Sequence, residues 1–402
     1  MSVRWVSCVL MSVFVGCGTE PAGVVEIEPA STSDAALRSG TFDYRIAKTV
    51  QLPNLFGFPE YENLDVPVYE SLGRRGPGIL LVHGNSASSR SFVRQVFGSL
   101  GLTQKLYLLD LPGFGRAGQV DPSRDFPIDE LGVPQGFPEY QLGLIEAIGV
   151  VAQDPDLAPS VFVGWSLGGD LLILAQGLGL IPDPAGFLIF GSAPAGAAPP
   201  TTEFPFSEPN VPGLPLSVLT SFGFAFQVDG TSPLGFNLNG QFTDPVPSFA
   251  DPVAQMAPTV GDAYLRAFFD ERQRERGRVP RFFLEDGFDR SDARARGSVG
   301  AVGLGLLPPG GLPDPLEVLV ALAGDPTDPG DDIPIAVVLG DEDPFINPDY
   351  LEDLRTNGGL PTLWRDKIIS IRGAGHATHY EAPGRFNSIV QSFARSVTDK
   401  TP

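Results

Sequence analysis

The chain has 402 residues, long enough for one large domain or two smaller ones, and an ordinary hydrophobic fraction of 42%. Its formal charge of −21 speaks against nucleic acid and anionic lipid heads as electrostatic partners. The only two cysteines, Cys8 and Cys17, sit at the N-terminus, which excludes a disulfide framework, a thiolate metal site and a cysteine nucleophile from the body of the chain.

The opening MSVRWVSCVLMSVFVGCGTEPAG places Arg4 before an apolar run from about Trp5 to Val15 and then small residues. That run is shorter than the roughly 20 residues a membrane-spanning helix needs, and its layout is that of a secretory signal peptide over residues 1–16. The ending FVGC resembles the lipobox of bacterial lipoproteins, with Phe14 where a leucine is usual. That resemblance implies lipidation of Cys17 and an exported protein anchored to a membrane of the bacterial cell envelope, the outer membrane being the expected one. Residues 17–40 then read as the lipidated cysteine and a flexible tether.

From residue 41 short apolar runs alternate with helical stretches, the pattern of a mostly parallel sheet covered by helices. TFDYRIAKTVQL and DVPVYESLG read as opening strands. GILLVHG (78–84), LYLLDLPG (106–113), VFVG (161–164) and GFLIFGSA (186–193) read as strands buried on both faces. Residues 88–99 and 138–153 have helical spacing, as does LGGDLLILAQGLG after the third of these strands. IPIAVVLG (333–340) and KIISIRG (367–373) complete the set, each with a helix after it.

Residues 194–332 differ in texture. They open on a proline-rich run, contain one helical stretch, GDAYLRAFFDERQRERG, and hold 13 of the 28 phenylalanines. We read them as an insertion between a first core segment, 41–193, and a second, 333–402. Parallel sheets bind ligands at the carboxyl edge of their strands, and an apolar insertion folded over that edge would be a cap or lid.

Within VFVGWSLGGD a lone serine, Ser166, sits between Gly164 and Gly168 where a buried strand passes into a helix. Read alone, this is a glycine-rich turn. In that context it has the form of the Gly-x-Ser-x-Gly nucleophile elbow, in which glycines let strand and helix approach around a strained serine. A serine hydroxyl needs a base, and the chain has three histidines, His83, His376 and His379. His376 follows the last expected strand. LGDEDPF, at the end of the strand before, offers Asp341, Glu342 and Asp343 as the acid that orients the base. A metal reading of HATH (376–379) lacks further ligands.

The motifs HGNSASS, DLPGFGR, GWSLGG, LGDEDPF and GAGHATHYEAP, in that order, are similar to those of the α/β-hydrolase fold superfamily. The resemblance covers roughly residues 60–193 and 333–395. It implies Ser166 as nucleophile, Asp343 as acid ahead of Asp341, and His376 as base ahead of His379. The backbone N–H groups of Asn85 and Leu167 would form the oxyanion hole, and His83 would brace its loop. A serine at the elbow disfavours epoxide and halide chemistry, which use a carboxylate there. The resemblance thus implies a serine hydrolase, foremost a carboxylic ester hydrolase acting on a small-molecule or lipid ester, with no cofactor and no metal. An aminopeptidase of the proline iminopeptidase type, or a non-catalytic surface binding protein on the same scaffold, are the alternatives.

Overall fold

The structure, a computed structural model, describes residues 44–57, 63–73, 75–85, 87–117, 137–194, 269, 282–288, 312–323, 332–357, 360 and 363–399. The expected signal segment (1–16), the tether with Cys17 (17–40) and most of the expected cap (194–332) lie outside these residues.

Among the described residues eight strands form one sheet: β1 (Arg45–Gln51), β2 (Asp65–Glu70), β3 (Arg75–Val82), β4 (Gln104–Leu109), β5 (Pro159–Trp165), β6 (Gly186–Phe190), β7 (Ile335–Gly340) and β8 (Ile369–Ile371). Their order is β1-β2-β4-β3-β5-β6-β7-β8. β1 and β2 run antiparallel to their neighbours, and the six strands from β3 to β8 are mutually parallel. Each apolar run read from the sequence thus lies on a strand.

The inner strands are apolar throughout because both faces of the sheet are covered. On β3, Leu80 and Val82 face one core with Phe162 of β5, while Ile79 and Leu81 face the other with Val161 and Val163. The first core is closed by α3 (Phe137–Gln153), α4 (Leu167–Gly177), α5 (Pro315–Ala323) and α6 (Pro348–Thr356). The second is closed by the short α1 (Val93–Val96) and α2 (Ser99–Thr103), by α7 (Thr378–Glu381) and by α8 (Pro383–Thr398). On α8 the residues Phe386, Val390, Phe393 and Val397 recur at helical spacing and are all buried. Each such burial stabilises the fold by roughly 1.5–3 kcal/mol.

One expected helix is broken. Residues 88–99 form a 3-10 turn (Ser89–Phe92), then α1, and the chain kinks before α2. Gly98 causes the kink: it is extended (φ −86°, ψ −177°), and a Cβ there would run into the Arg94 carbonyl. Among the described residues no helix is long and apolar enough to cross a membrane.

Candidate active site

The carboxyl ends of β3, β5, β6, β7 and β8 gather the residues singled out in the sequence. β5 ends at Trp165 and α4 begins at Leu167, so Ser166 alone makes the turn. It does so at φ 51°, ψ −124°, a conformation a residue with a Cβ adopts only under strain, held here by its surroundings. The Ser166 N–H donates to the Phe190 carbonyl at 2.9 Å, and its own carbonyl accepts from Gly169 N–H at 2.8 Å and Ser192 Oγ at 2.7 Å. The turn is tight because nothing larger than glycine fits at 168: a Cβ there would overlap the backbone oxygens of Val82 and His83.

The loop after β3 comes directly against the serine. A Cβ on Gly84 would lie 3.0 Å from the Ser166 Cβ, so Asn85, the next residue, is set beside the elbow. His83 holds that loop with both ring nitrogens. Its Nδ1 pairs with the Gly84 carbonyl at 2.8 Å, and Nε2 accepts from Leu111 N–H at 3.0 Å. That arrangement is the neutral tautomer, and burial holds the His83 pKa below its usual value. Asp110, just past the end of β4, fixes the same region, accepting from Ser89 N–H at 2.7 Å, Arg116 N–H at 2.9 Å and the Tyr69 hydroxyl at 3.2 Å.

His376 and Asp343 are in direct contact, Nδ1 to Oδ2 at 2.9 Å, with side chains only 3% and 1% exposed. The other carboxylate oxygen of Asp343 accepts from Phe345 N–H (2.9 Å) and Ile346 N–H (3.3 Å), which turns Oδ2 toward the imidazole. Asp341 points elsewhere, exposed and accepting from Gly373 N–H at 2.6 Å. The His376 loop is pinned twice more. Trp165, the residue before the serine, donates its indole N–H to the His376 carbonyl at 2.9 Å, and Glu381 accepts from Gly375 N–H at 2.6 Å. Gly191 approaches the imidazole so closely that a Cβ would lie 3.2 Å from it.

His379 is not at the site surface. Its ring is fully buried against Trp165 (4.6 Å between centroids), Phe92 (4.9 Å) and Phe190 (5.2 Å), and neither ring nitrogen has a hydrogen-bond partner. Burial, and secondarily the neighbouring His376, push its pKa well below the usual value. The folded protein therefore refuses a proton that the unfolded chain accepts below about pH 6.5, and this contribution to stability is lost as pH falls through that range. His379→Phe is expected to remove that acid loss. Melting curves at about pH 5 and about pH 8 check it: the gain in Tm over the parent should be larger at the lower pH.

A few described residues of the 194–332 segment pack near these elements. Phe283 packs edge-on to Trp165 at 6.5 Å and to Tyr380 at 5.0 Å, and Asp286 accepts from Arg90 at 2.8 Å. α5 packs on α4, the helix that starts at the serine. No three metal-binding side chains gather among the described residues.

The fold is similar to that of several solved hydrolase structures. The chain has a TM-score of 0.59 and 22% identity to the N-acyl homoserine lactonase AidH, covering 89% of this chain and 98% of that one. An esterase from Thermogutta terrifontis gives a TM-score of 0.51 at 16% identity, covering 87% and 99%. A membrane phospholipase A described as a bacterial virulence factor gives 0.52 at 17%, covering 92% and 91%. At these identities the likeness concerns the fold. No curated protein matches the chain. The sequence profile of the alpha/beta hydrolase family matches residues 79–389, a span that runs from β3 through the serine turn to the His376 loop and into α8. The chain belongs to the alpha/beta hydrolase family.

Proposed function

We propose that the protein is a serine hydrolase of carboxylic esters working through an acyl-enzyme. The observation that carries the reading is the buried His376–Asp343 pair at 2.9 Å beside a serine held at positive φ on a strand-to-helix turn. Ser166 attacks the acyl carbon while His376 takes its proton, and Asp343 holds the imidazole's orientation and stabilises its cationic form. The backbone N–H groups of Leu167, first residue of α4, and Asn85 stabilise the oxyanion, each donor being worth about 3–4 kcal/mol in such sites. Loss of the alcohol gives the acyl-enzyme, which water attacks with His376 again as base.

A partly apolar substrate is favoured by the phenylalanine-rich insertion, which we take to cap the carboxyl edge of the sheet. Similar folds in an esterase, a lactonase and a phospholipase A support the ester class. Residues 1–16 act in this reading as an export signal, and acylation of Cys17 tethers the enzyme to the envelope membrane, where lipid or environmental esters are within reach.

A panel of p-nitrophenyl esters from acetyl to dodecanoyl, run beside amino-acid arylamides, tests it. Turnover of the esters, rising with acyl length, is expected. Preference for the arylamides would replace the ester reading by an aminopeptidase, and preference for acetyl would remove the apolar-substrate element.

A further inference from the structure

Under the Ser166 turn lies a short polar chain whose contacts depend on one proton. Ser192 Oγ, in the loop after β6, is 2.7 Å from the Ser166 carbonyl oxygen and 2.9 Å from Asp170 Oδ1 on the first turn of α4. A hydroxyl has one proton to give. If Asp170 is ionised, both neighbours of Ser192 are acceptors and one of these short contacts has no hydrogen in it. If Asp170 is protonated, every contact is satisfied: the acid donates to Ser192 Oγ, and Ser192 donates to Ser166. Space for this chain is made by Gly169, where a Cβ would lie 2.6 Å from Ser192 Oγ.

The peptide being held is the one between Ser166 and Leu167. It is planar, so its carbonyl oxygen and the Leu167 N–H point in opposite directions and turn together. A hydrogen bond to the carbonyl also polarises the N–H at the other end. We propose that Asp170 and Ser192 are positioning residues for ester hydrolysis: neutral Asp170, through Ser192, clamps the Ser166 carbonyl and thereby aims the Leu167 N–H at the oxyanion. The proposal rests on Ser166 as nucleophile and Leu167 as an oxyanion donor.

The surroundings allow Asp170 to carry its proton near neutrality. Although its side chain keeps a little solvent contact, burial dominates and pushes its carboxyl up to about 7, with Ser192 pulling the other way. Tyr350 of α6 faces the same region. Its hydroxyl donates to the Pro194 carbonyl at 2.7 Å, and burial, with Asp170 and Asp314 nearby, raises its pKa so that it stays neutral. Among the described residues no cation bears on the Asp170 carboxyl. The Gly169 N–H is a second donor to the Ser166 carbonyl, so losing the clamp loosens the peptide without emptying it.

The test is the pH dependence of kcat/KM on a p-nitrophenyl ester for the parent chain, Asp170→Asn and Ser192→Ala. An asparagine can keep its amide toward Ser192 at every pH. Asp170→Asn is therefore expected to raise the ratio of kcat/KM at about pH 8.5 to that at about pH 6 by about 3- to 10-fold, the worth of one hydrogen bond. Ser192→Ala should lower kcat at about pH 6 by a similar factor with little change in KM, and in the double variant the pH effect of Asp170→Asn should vanish. A change in rate that is the same at all pH values would mark Asp170 as merely structural and overturn the clamp. Should Asp170→Asn fail to fold, Ser192→Ala decides by the same comparison, since without the relay its profile must lack the parent's decline through about pH 7. A parent chain inert to esters and to a fluorophosphonate would overturn the serine reading and the clamp with it. An active parent with an unchanged Asp170→Asn pH profile would overturn the clamp alone.

Discussion

Ester hydrolysis by Ser166→Ala is expected to fall by about 10⁴- to 10⁶-fold in kcat, the range seen when a hydrolase triad loses its nucleophile, with the fold intact. The alanine keeps the Cβ and therefore the strained backbone at φ 51°, so its Tm should stay near the parent's. Ser166→Gly separates strain from chemistry. It should be as inactive as the alanine variant but more stable than it by about 1 kcal/mol, because glycine reaches that conformation without steric cost. Steady-state kinetics and thermal unfolding of the two variants check both halves.

Asp343→Asn is expected to lower kcat by about 10⁴-fold, and the local hydrogen bonds say why. Oδ1 accepts from the Phe345 and Ile346 N–H groups, so an asparagine keeps its carbonyl oxygen there and turns its amide toward His376 Nδ1. The imidazole must then accept at Nδ1 and carry its proton on Nε2, the nitrogen that has to receive the serine proton. The overall geometry survives while the tautomer is wrong. Asp341→Asn should cost little activity, since that carboxylate serves only the Gly373 N–H from an exposed position. Comparable losses from the two substitutions would contradict the assignment of Asp343.

Much of this arrangement is legible in the sequence because strands buried on both faces must be apolar without interruption. The runs GILLV, LYLL, VFVG, GFLIF and IAVVLG lie on the inner strands β3 to β7, and the candidate site residues follow the ends of such strands. Asp343 and His376 stand out as the acid and imidazole that end adjacent strands, and the structure sets them 2.9 Å apart. What escapes the sequence is whatever depends on packing between distant segments. The Gly98 kink that splits the helix expected at 88–99 is a close approach to the Arg94 carbonyl, and spacing alone does not reveal it. His379 sits three residues after His376 and has the same chemistry on paper, yet its ring lies in an aromatic box, cut off from hydrogen bonds. Ser192 is 26 residues from Ser166, and no motif spacing joins it to the elbow or to Asp170. Trp165 reads as a strand-end apolar residue, whereas its indole N–H ties the end of β5 to the His376 loop.

The claim on which the rest depends is that Ser166 is an activated nucleophile. Incubating the purified chain with a fluorophosphonate and locating the adduct by mass spectrometry, with Ser166→Ala as control, tests it most directly. The account predicts a single adduct on Ser166 in the parent and none in the variant. A folded parent that takes no adduct, or one labelled at another serine, would contradict it and turn attention to ligand binding on a hydrolase scaffold.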